Sequence, residues 1–225
     1  MAGKRSYDDG CASAHALELI GERWALLIVR ELLLGPKRFT DLRIGLPAIS
    51  PNVLTQRLTE LEAGAVLRRR KLPPPAGAWV YELTEWGQQL EPIVLGLGAW
   101  GARSPQLPQA LPLSDDALAL SWRAMADPNA LDGPPLRLQI EMAQGRYAVE
   151  VRDGRFAIAR GTRADAQATV RASTEVLAAL TYAGADLDAV LRAGQAQLTG
   201  ERAALARFVG LFTLPEPAPA ARPGP

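Results

Sequence analysis

Apolar and polar positions change their rhythm along this chain, and each rhythm predicts a different kind of element. The first two runs, Ala12 to Ile20 and Glu22 to Leu34, have helical composition, with Gly21 as a break and Gly35-Pro36 as a stop. The second run is apolar nearly all round, through Trp24, Leu26, Leu27, Ile28, Val29, Leu32 and Leu33, and predicts a helix at the centre of a domain. A short helix over Phe39 to Arg43 follows, open to capping by Thr40 or Asp41 and closed by Gly45-Leu46-Pro47. Ser50-Pro51 then predicts a helix start: a hydroxyl to cap free N–H groups, and a ring whose missing donor costs nothing at the first helical position. From Pro51 to about Ala63, the residues Leu54, Leu58 and Leu61 recur at i, i+4 and i+7 and mark a buried stripe. At roughly 100° per residue, Asn52, Gln56 and Thr59 fall on the opposite face with Thr55 beside them.

The rhythm then shortens. Arg68 to Leu72 and Ala78 to Leu83 read as two strands joined by Pro73-Pro74-Pro75-Ala76-Gly77. A helix over Glu85 to about Ala102 places Trp86, Leu90, Ile93, Leu97 and Trp100 at alternating spacings of four and three. That heptad-like seam predicts dimerisation through a partner helix, packing on its own domain being the alternative. Residues 104–113, with Pro105, Pro108 and Pro112, read as a linker. Beyond a helix over Ser114 to Ala126, strict alternation sets in: Leu136, Leu138, Ile140 and Met142, then Tyr147, Val149 and Val151 after Gln144-Gly145, then Phe156 and Ile158 after Asp153-Gly154. Three antiparallel strands follow from this. A fourth strand near Ala168 to Ala172, helices over Ser173 to Tyr182 and near Asp186 to Arg192, a strand over Gln195 to Thr199 and a helix from Glu201 to Phe212 complete the pattern. The expected fold is α+β: residues 1–103 form one domain, residues 114–214 an α/β domain with a mainly antiparallel sheet, and residues 215–225, with five prolines, a disordered tail.

Charge sharpens the first domain. The whole chain has a net charge of +1, which favours no partner. Between Lys37 and Lys71, however, eight basic residues (Lys37, Arg38, Arg43, Arg57, Arg68, Arg69, Arg70, Lys71) face three acidic ones, a local excess of +5. A short helix, a tight turn, a capped amphipathic helix and a basic hairpin define a winged helix-turn-helix. In that arrangement Asn52, Thr55, Gln56 and Thr59 offer amides and methyls to base edges in the major groove of double-stranded DNA. Ser50, Lys37, Arg38, Arg68, Arg69, Arg70 and Lys71 are the expected backbone contacts. Arg57, on the flank of the apolar stripe, reaches a phosphate or an acidic neighbour. Because strand side chains alternate, only two of the four hairpin cations face DNA well.

Two resemblances extend this reading. The stretch from Cys11 through Gly21-Glu-Arg-Trp-Ala-Leu-Leu-Ile-Val-Arg-Glu-Leu-Leu33, with Arg38-Phe-Thr-Asp-Leu42 and Ile49-Ser-Pro-Asn-Val-Leu-Thr-Gln-Arg-Leu-Thr-Glu-Leu-Glu62, resembles the HxlR-type regulators, dimeric winged-helix proteins related to the MarR group. The resemblance covers about Cys11 to Ala102 and implies a homodimeric transcriptional regulator. It also puts Cys11 where this family carries a cysteine that senses oxidants in some members; Lys4 and Arg5 are the nearby cations, and a buried, inert thiol is the alternative. Residues Ala164 to Leu180 and Leu191 to Glu201 resemble sterol-carrier-protein-2-like domains over roughly Asp115 to Leu214. That implies an apolar tunnel for a lipid or other hydrophobic molecule, with a filled core or a dimerisation module as alternatives.

Other classes are poorly served. The lone histidine, His15, lies far from any Ser or Asp motif, and there is no Cys/His metal spacing or glycine-rich phosphate loop, so neither an enzyme nor a metal or other cofactor is expected. A single cysteine and the lack of an apolar leader or a 20-residue apolar span predict a soluble cytoplasmic, nucleoid-associated protein that avoids membranes. The competing function is a lipid-binding or carrier protein in which the N-terminal half is only a dimer scaffold.

Overall fold

The apolar run Trp24 to Leu33 becomes the hub around which the first unit is built. In the computed structural model, which describes residues 6–108 and 112–219, helix α1 (Ala12–Ile20) precedes α2 (Ala25–Leu32), α3 (Phe39–Gly45) and α4 (Pro51–Ala63). Helix α2 starts three residues later than its composition predicts, because Trp24 sits in the left-handed region at φ 80° and cannot be part of it. Ile28, Val29 and Leu32 of α2, Leu42 of α3 and Leu54, Leu58 and Leu61 of α4 are all buried and form the core. The α3 start is capped from within its first turn, with the Arg38 backbone N–H donating to Asp41 Oδ2 at 3.0 Å. At α4, Ser50 Oγ accepts from the Val53 N–H and Pro51 stands at the first position, as the sequence predicts.

Strands β1 (Leu67–Lys71) and β2 (Trp79–Leu83) pair antiparallel, with Arg68 opposite Glu82, Arg69 opposite Tyr81 and Lys71 opposite Trp79. Lys37 adds a one-residue third strand through reciprocal backbone bonds with Tyr81 of 3.0 and 2.8 Å. The predicted single helix over Glu85 to Ala102 is two: α5 (Glu85–Gln88) and α6 (Glu91–Ala102). Pro92 explains the break, since it has no N–H to give the carbonyl four residues back and its ring would strike it. At Gly87 a β-carbon would lie 2.0 Å from the Val66 carbonyl oxygen, so only glycine lets α5 approach the end of the hairpin.

The chain divides into two compact units, Met1–Val94 and Leu95–Pro225, with the boundary inside α6. In the second unit, α7 (Asp115–Met125) leads through a 3-10 turn (Pro128–Ala130) to β3 (Leu136–Met142), β4 (Gly145–Arg152), β5 (Arg155–Arg160) and β6 (Ala168–Ala172). Helices α8 (Thr174–Tyr182) and α9 (Leu187–Arg192), strand β7 (Ala196–Gly200) and α10 (Arg202–Val209) follow. The strand order is β5-β4-β3-β6-β7, and the sheet is mixed: β3 and β6 run parallel, all other pairs antiparallel. Alternation fixes which residues face the helices, and Leu136, Leu138, Ile140, Tyr147, Val149 and Val151 are buried there.

The expected apolar tunnel meets a filled layer. Trp122 of α7 makes an edge contact with Phe208 at 5.0 Å and stacks on Phe212 at 5.9 Å, and Phe156 of β5 closes on Phe212 at 5.4 Å. A buried polar cluster pins the start of α7 to the sheet: Asp116 accepts from Tyr147 Oη at 2.5 Å and from Arg160 Nη2 at 2.7 Å, while Asp115 accepts from Thr174 Oγ1 at 2.6 Å. Burial, reinforced by the Asp116 carboxylate, raises the Tyr147 phenol well above its ordinary pKa, so it stays a donor. Of the expected linker, residues 109–111 lie outside the described residues, as do residues 220–225 of the expected disordered tail. Residues 215–219 of that tail lie in no helix or strand, and the Ala218 N–H donates to the Arg103 carbonyl at 2.7 Å. Among the described residues no helix is long and apolar enough to cross a membrane.

Candidate nucleic-acid interface

Helix α4 presents the predicted polar face intact. Asn52, Thr55, Gln56 and Thr59 are all exposed, opposite Leu54, Leu58 and Leu61, none of which exceeds 1% exposure. The two threonine hydroxyls bond back to their own helix, Thr55 to the Pro51 carbonyl at 2.9 Å and Thr59 to the Thr55 carbonyl at 3.0 Å, which turns their methyls outward. Gln56 Nε2 donates to Glu60 Oε1 at 3.0 Å on the exposed surface, a bond it can exchange for a base. Ser50 is exposed at the head of the helix, but its hydroxyl is engaged in the cap. The recognition helix and the hairpin are tied together, since Glu62 Oε1 accepts from the Arg69 backbone N–H at 3.0 Å.

The basic residues do not form one patch, and the sequence expectation needs correcting at Lys37, while Arg57, Arg68 and Arg70 take acidic partners. Lys37 is buried at 7% exposure, and its Nζ donates to the fully buried Glu31 at 2.5 Å, so it braces the fold and does not contact phosphate. Arg57 resolves to its acidic alternative, pairing with Glu60 and with Glu22. Arg68 and Arg70 lie on the same side of β1 and both grip Glu82, at 2.7 and 2.6 Å. Burial works against the Glu82 charge, but the hydrogen bonds and charges of Arg70 and Arg68 outweigh it and hold the carboxyl below its usual range. Arg69 is different: its guanidinium lies over the Trp79 ring at 4.6 Å and within 6.0 Å of Tyr81. Arg38, Arg43 and Lys71 are exposed, and among the described residues they make no ion pair. Sequence reasoning missed Trp79, Tyr81, Glu82 and Glu31. Of these, Glu82, Tyr81 and Trp79 had a readable signal, since a hairpin turning at residues 73–77 sets them opposite Arg68, Arg69 and Lys71.

The seam residues stand apart from the core. Trp86 on α5 and Ile93, Leu97 and Trp100 on α6 are exposed, Trp100 at 78%, Leu90 is half-buried, and α6 buries no residue at all. The break before α6 means that Trp86 does not continue the α6 row. Cys11 is exposed and caps α1 from outside; the backbone N–H groups of Ser13 and Ala14, then the Ser13 hydroxyl, hold its thiol below the ordinary pKa. Lys4 and Arg5 lie outside the described residues. Among the described residues no three His, Cys, Asp or Glu side chains gather as a metal site.

A three-helix core, a capped helix-turn-helix and a two-stranded hairpin bridged to Lys37 define the first unit as a winged helix-turn-helix domain. Residues 19–107 match the HxlR-like helix-turn-helix family model. The HTH-type transcriptional regulator YybR of Bacillus subtilis (strain 168) is 38% identical over 96 residues, 41% of this chain and 74% of that protein. YtcD of the same organism is 43% identical over 89 residues, 38% of this chain and 68% of that protein. The reduced form of the transcriptional regulator YodB from B. subtilis superposes with a TM-score of 0.39 at 33% identity, covering 45% of this chain and all of that one. The chain belongs to the HxlR family of helix-turn-helix transcriptional regulators, and the relatives it matches are regulators, not enzymes.

The second unit requires a correction. Residues 111–218 match the family described as alkyl sulfatase C-terminal, which replaces the sterol-carrier-protein-2-like assignment. Helices on one face of an alternating sheet produce the same run of apolar spacings in more than one family, so the pattern predicted the elements correctly and the family wrongly. With that assignment goes the fold class built on it: the unit is a mixed sheet with helices, and its residues match this other family's model.

Proposed function

We propose that this regulator binds duplex DNA as a homodimer, each α4 entering a major groove and each hairpin lying along the neighbouring backbone. The observation that carries the reading is the exposed row Asn52, Thr55, Gln56 and Thr59 on a helix whose opposite face is the buried core. Arg38, Arg69 and Lys71, which have no carboxylate partner among the described residues, supply phosphate contacts. Two half-sites about one helical turn apart would match a two-fold dimer. DNA fragments recovered by the purified protein from a genomic pool should bind with an affinity that falls by about a thousandfold between 50 and 200 mM salt, the loss expected for six or more neutralised phosphates. Failure to retain any genomic fragment at low salt overturns the reading. Nothing in the hairpin or α4 favours the carrier alternative. A hydrophobic effector would have to displace Trp122, Phe208 and Phe212, which touch one another across the layer, so it is the part of the expectation with least structural support.

Cys11 gives the reading a second, separable element, a redox input. Its exposure supports an accessible thiol over a buried one, and the backbone N–H groups of Ser13 and Ala14 lower its pKa, so thiolate persists to lower pH than in an unperturbed cysteine. The rate of iodoacetamide alkylation should therefore reach half its maximum at a lower pH in the folded chain than in the urea-unfolded chain, and mild oxidation should change DNA affinity in the wild type but not in Cys11→Ser. A midpoint no lower than that of the unfolded chain, or equal oxidant response in both proteins, removes Cys11 from the mechanism.

A further inference from the structure

The two sides of the wing differ in how their arginines are held. On one side Arg68 and Arg70 direct their Nε donors at Glu82, so two cations share one carboxylate and carry a single net charge between them. On the other, the Arg69 guanidinium lies over the Trp79 ring, 4.6 Å from its centre, and pairs with no carboxylate among the described residues. A stacked guanidinium keeps its in-plane N–H groups available, whereas a salt-bridged one has committed some of them. Lys71 stands directly opposite Trp79 in the register, exposed and, among the described residues, without an ion pair, and Trp79 itself is 51% exposed at the start of β2. The half-exposed Trp79 ring, Arg69 and Lys71 therefore share one face of the hairpin.

We propose that the wing is one-sided: the face formed by Arg69, Lys71 and Trp79 meets the sugar-phosphate backbone of duplex DNA, with Trp79 acting as the platform that orients Arg69, while the Arg68-Glu82-Arg70 face is a structural clamp. This rests on the DNA-binding reading above and adds a residue, Trp79, and a side to it. Stacking on Trp79 removes rotamer freedom from Arg69 before DNA arrives, so less is lost when its edge bonds a phosphate. The Glu62 bond to the Arg69 backbone N–H fixes the base of that arginine relative to α4, so the platform and the recognition helix are in register.

The test uses the full chain and a fluorescent duplex of about 30 base pairs, long enough for two half-sites, chosen from the fragments that the wild type retains. Arg69→Ala should weaken binding about tenfold and lower the log-log salt slope by about one. Trp79→Ala, which removes no charge, should weaken binding about fivefold, and Trp79→Phe should restore most of it because a smaller ring still stacks. The Trp79→Ala/Arg69→Ala double variant should bind no worse than Arg69→Ala alone, since the ring acts through the arginine. Arg70→Ala should cost less than Arg69→Ala. Unchanged affinity in Trp79→Ala, additive losses in the double variant, or an Arg70→Ala loss equal to that of Arg69→Ala overturns the proposal while leaving the DNA-binding reading in place. A wild type that retains no duplex at all takes both down.

Discussion

Replacing Asn52 and Gln56 together by alanine is expected to abolish discrimination between a selected duplex and an unrelated one, without changing the unfolding temperature. Both side chains are exposed, and neither takes part in the core formed by Leu54, Leu58 and Leu61. An amide that bonds adenine through both its groups contributes about 1–3 kcal/mol of discrimination, so two of them correspond to roughly a hundredfold or more. Gln56 must release Glu60 to reach a base, which places its own share toward the lower end. Residual binding should match that to unrelated DNA, because Arg38, Arg69 and Lys71 still meet phosphates and phosphates carry no sequence. Competition anisotropy with labelled selected duplex and unlabelled random duplex measures the ratio directly. A ratio unchanged in the double variant would mean that α4 is not the reading element, whatever the wing contributes.

How much of this was legible before the structure depends on whether a feature is local. The α4 boundaries, its cap at Ser50 and the polar row opposite the leucines follow from spacing within thirteen residues, and the helix is observed as Pro51–Ala63. The strands of the second unit were equally readable, because alternation over five or more residues admits one face inward. The fate of Lys37 was not readable: its partner Glu31 lies six residues away on a helix whose rotation depends on the whole core, and Gly45, where a β-carbon would stand 2.2 Å from that carboxylate, completes the pocket from α3. The charge excess of +5 over residues 37–71 misled for a related reason. It stopped before Glu82, which the hairpin brings back against Arg68 and Arg70. The parallel pairing of β3 with β6 joins segments about thirty residues apart, and no pattern inside either strand encodes it. Pro92 was the opposite case, a visible signal whose consequence, the break between α5 and α6, was overridden by an attractive heptad spacing.

That break bears on the remaining prediction, since it confines the apolar row to one helix. Ile93, Leu97 and Trp100 follow one another at i, i+4 and i+7 on α6, all exposed, on a helix with no buried residue. Twelve residues with this composition would not hold an apolar stripe in water without a cover, and a second copy of the same stripe across a two-fold axis is self-complementary by construction. Leu97→Glu is therefore expected to convert the proposed dimer into a monomer. Each leucine buried contributes about 1.5–3 kcal/mol, the axis doubles the loss, and two facing carboxylates repel, so the dissociation constant should rise by roughly a thousandfold or more. Because the site is exposed, the fold of each chain should survive, and circular dichroism should show it. DNA affinity should then fall at least a hundredfold, as half-sites previously bound together are bound singly. Sedimentation velocity across a range of concentrations decides the matter: a Leu97→Glu protein that sediments as the wild type does would move the dimer contact away from α6, and leave its exposed row without a partner.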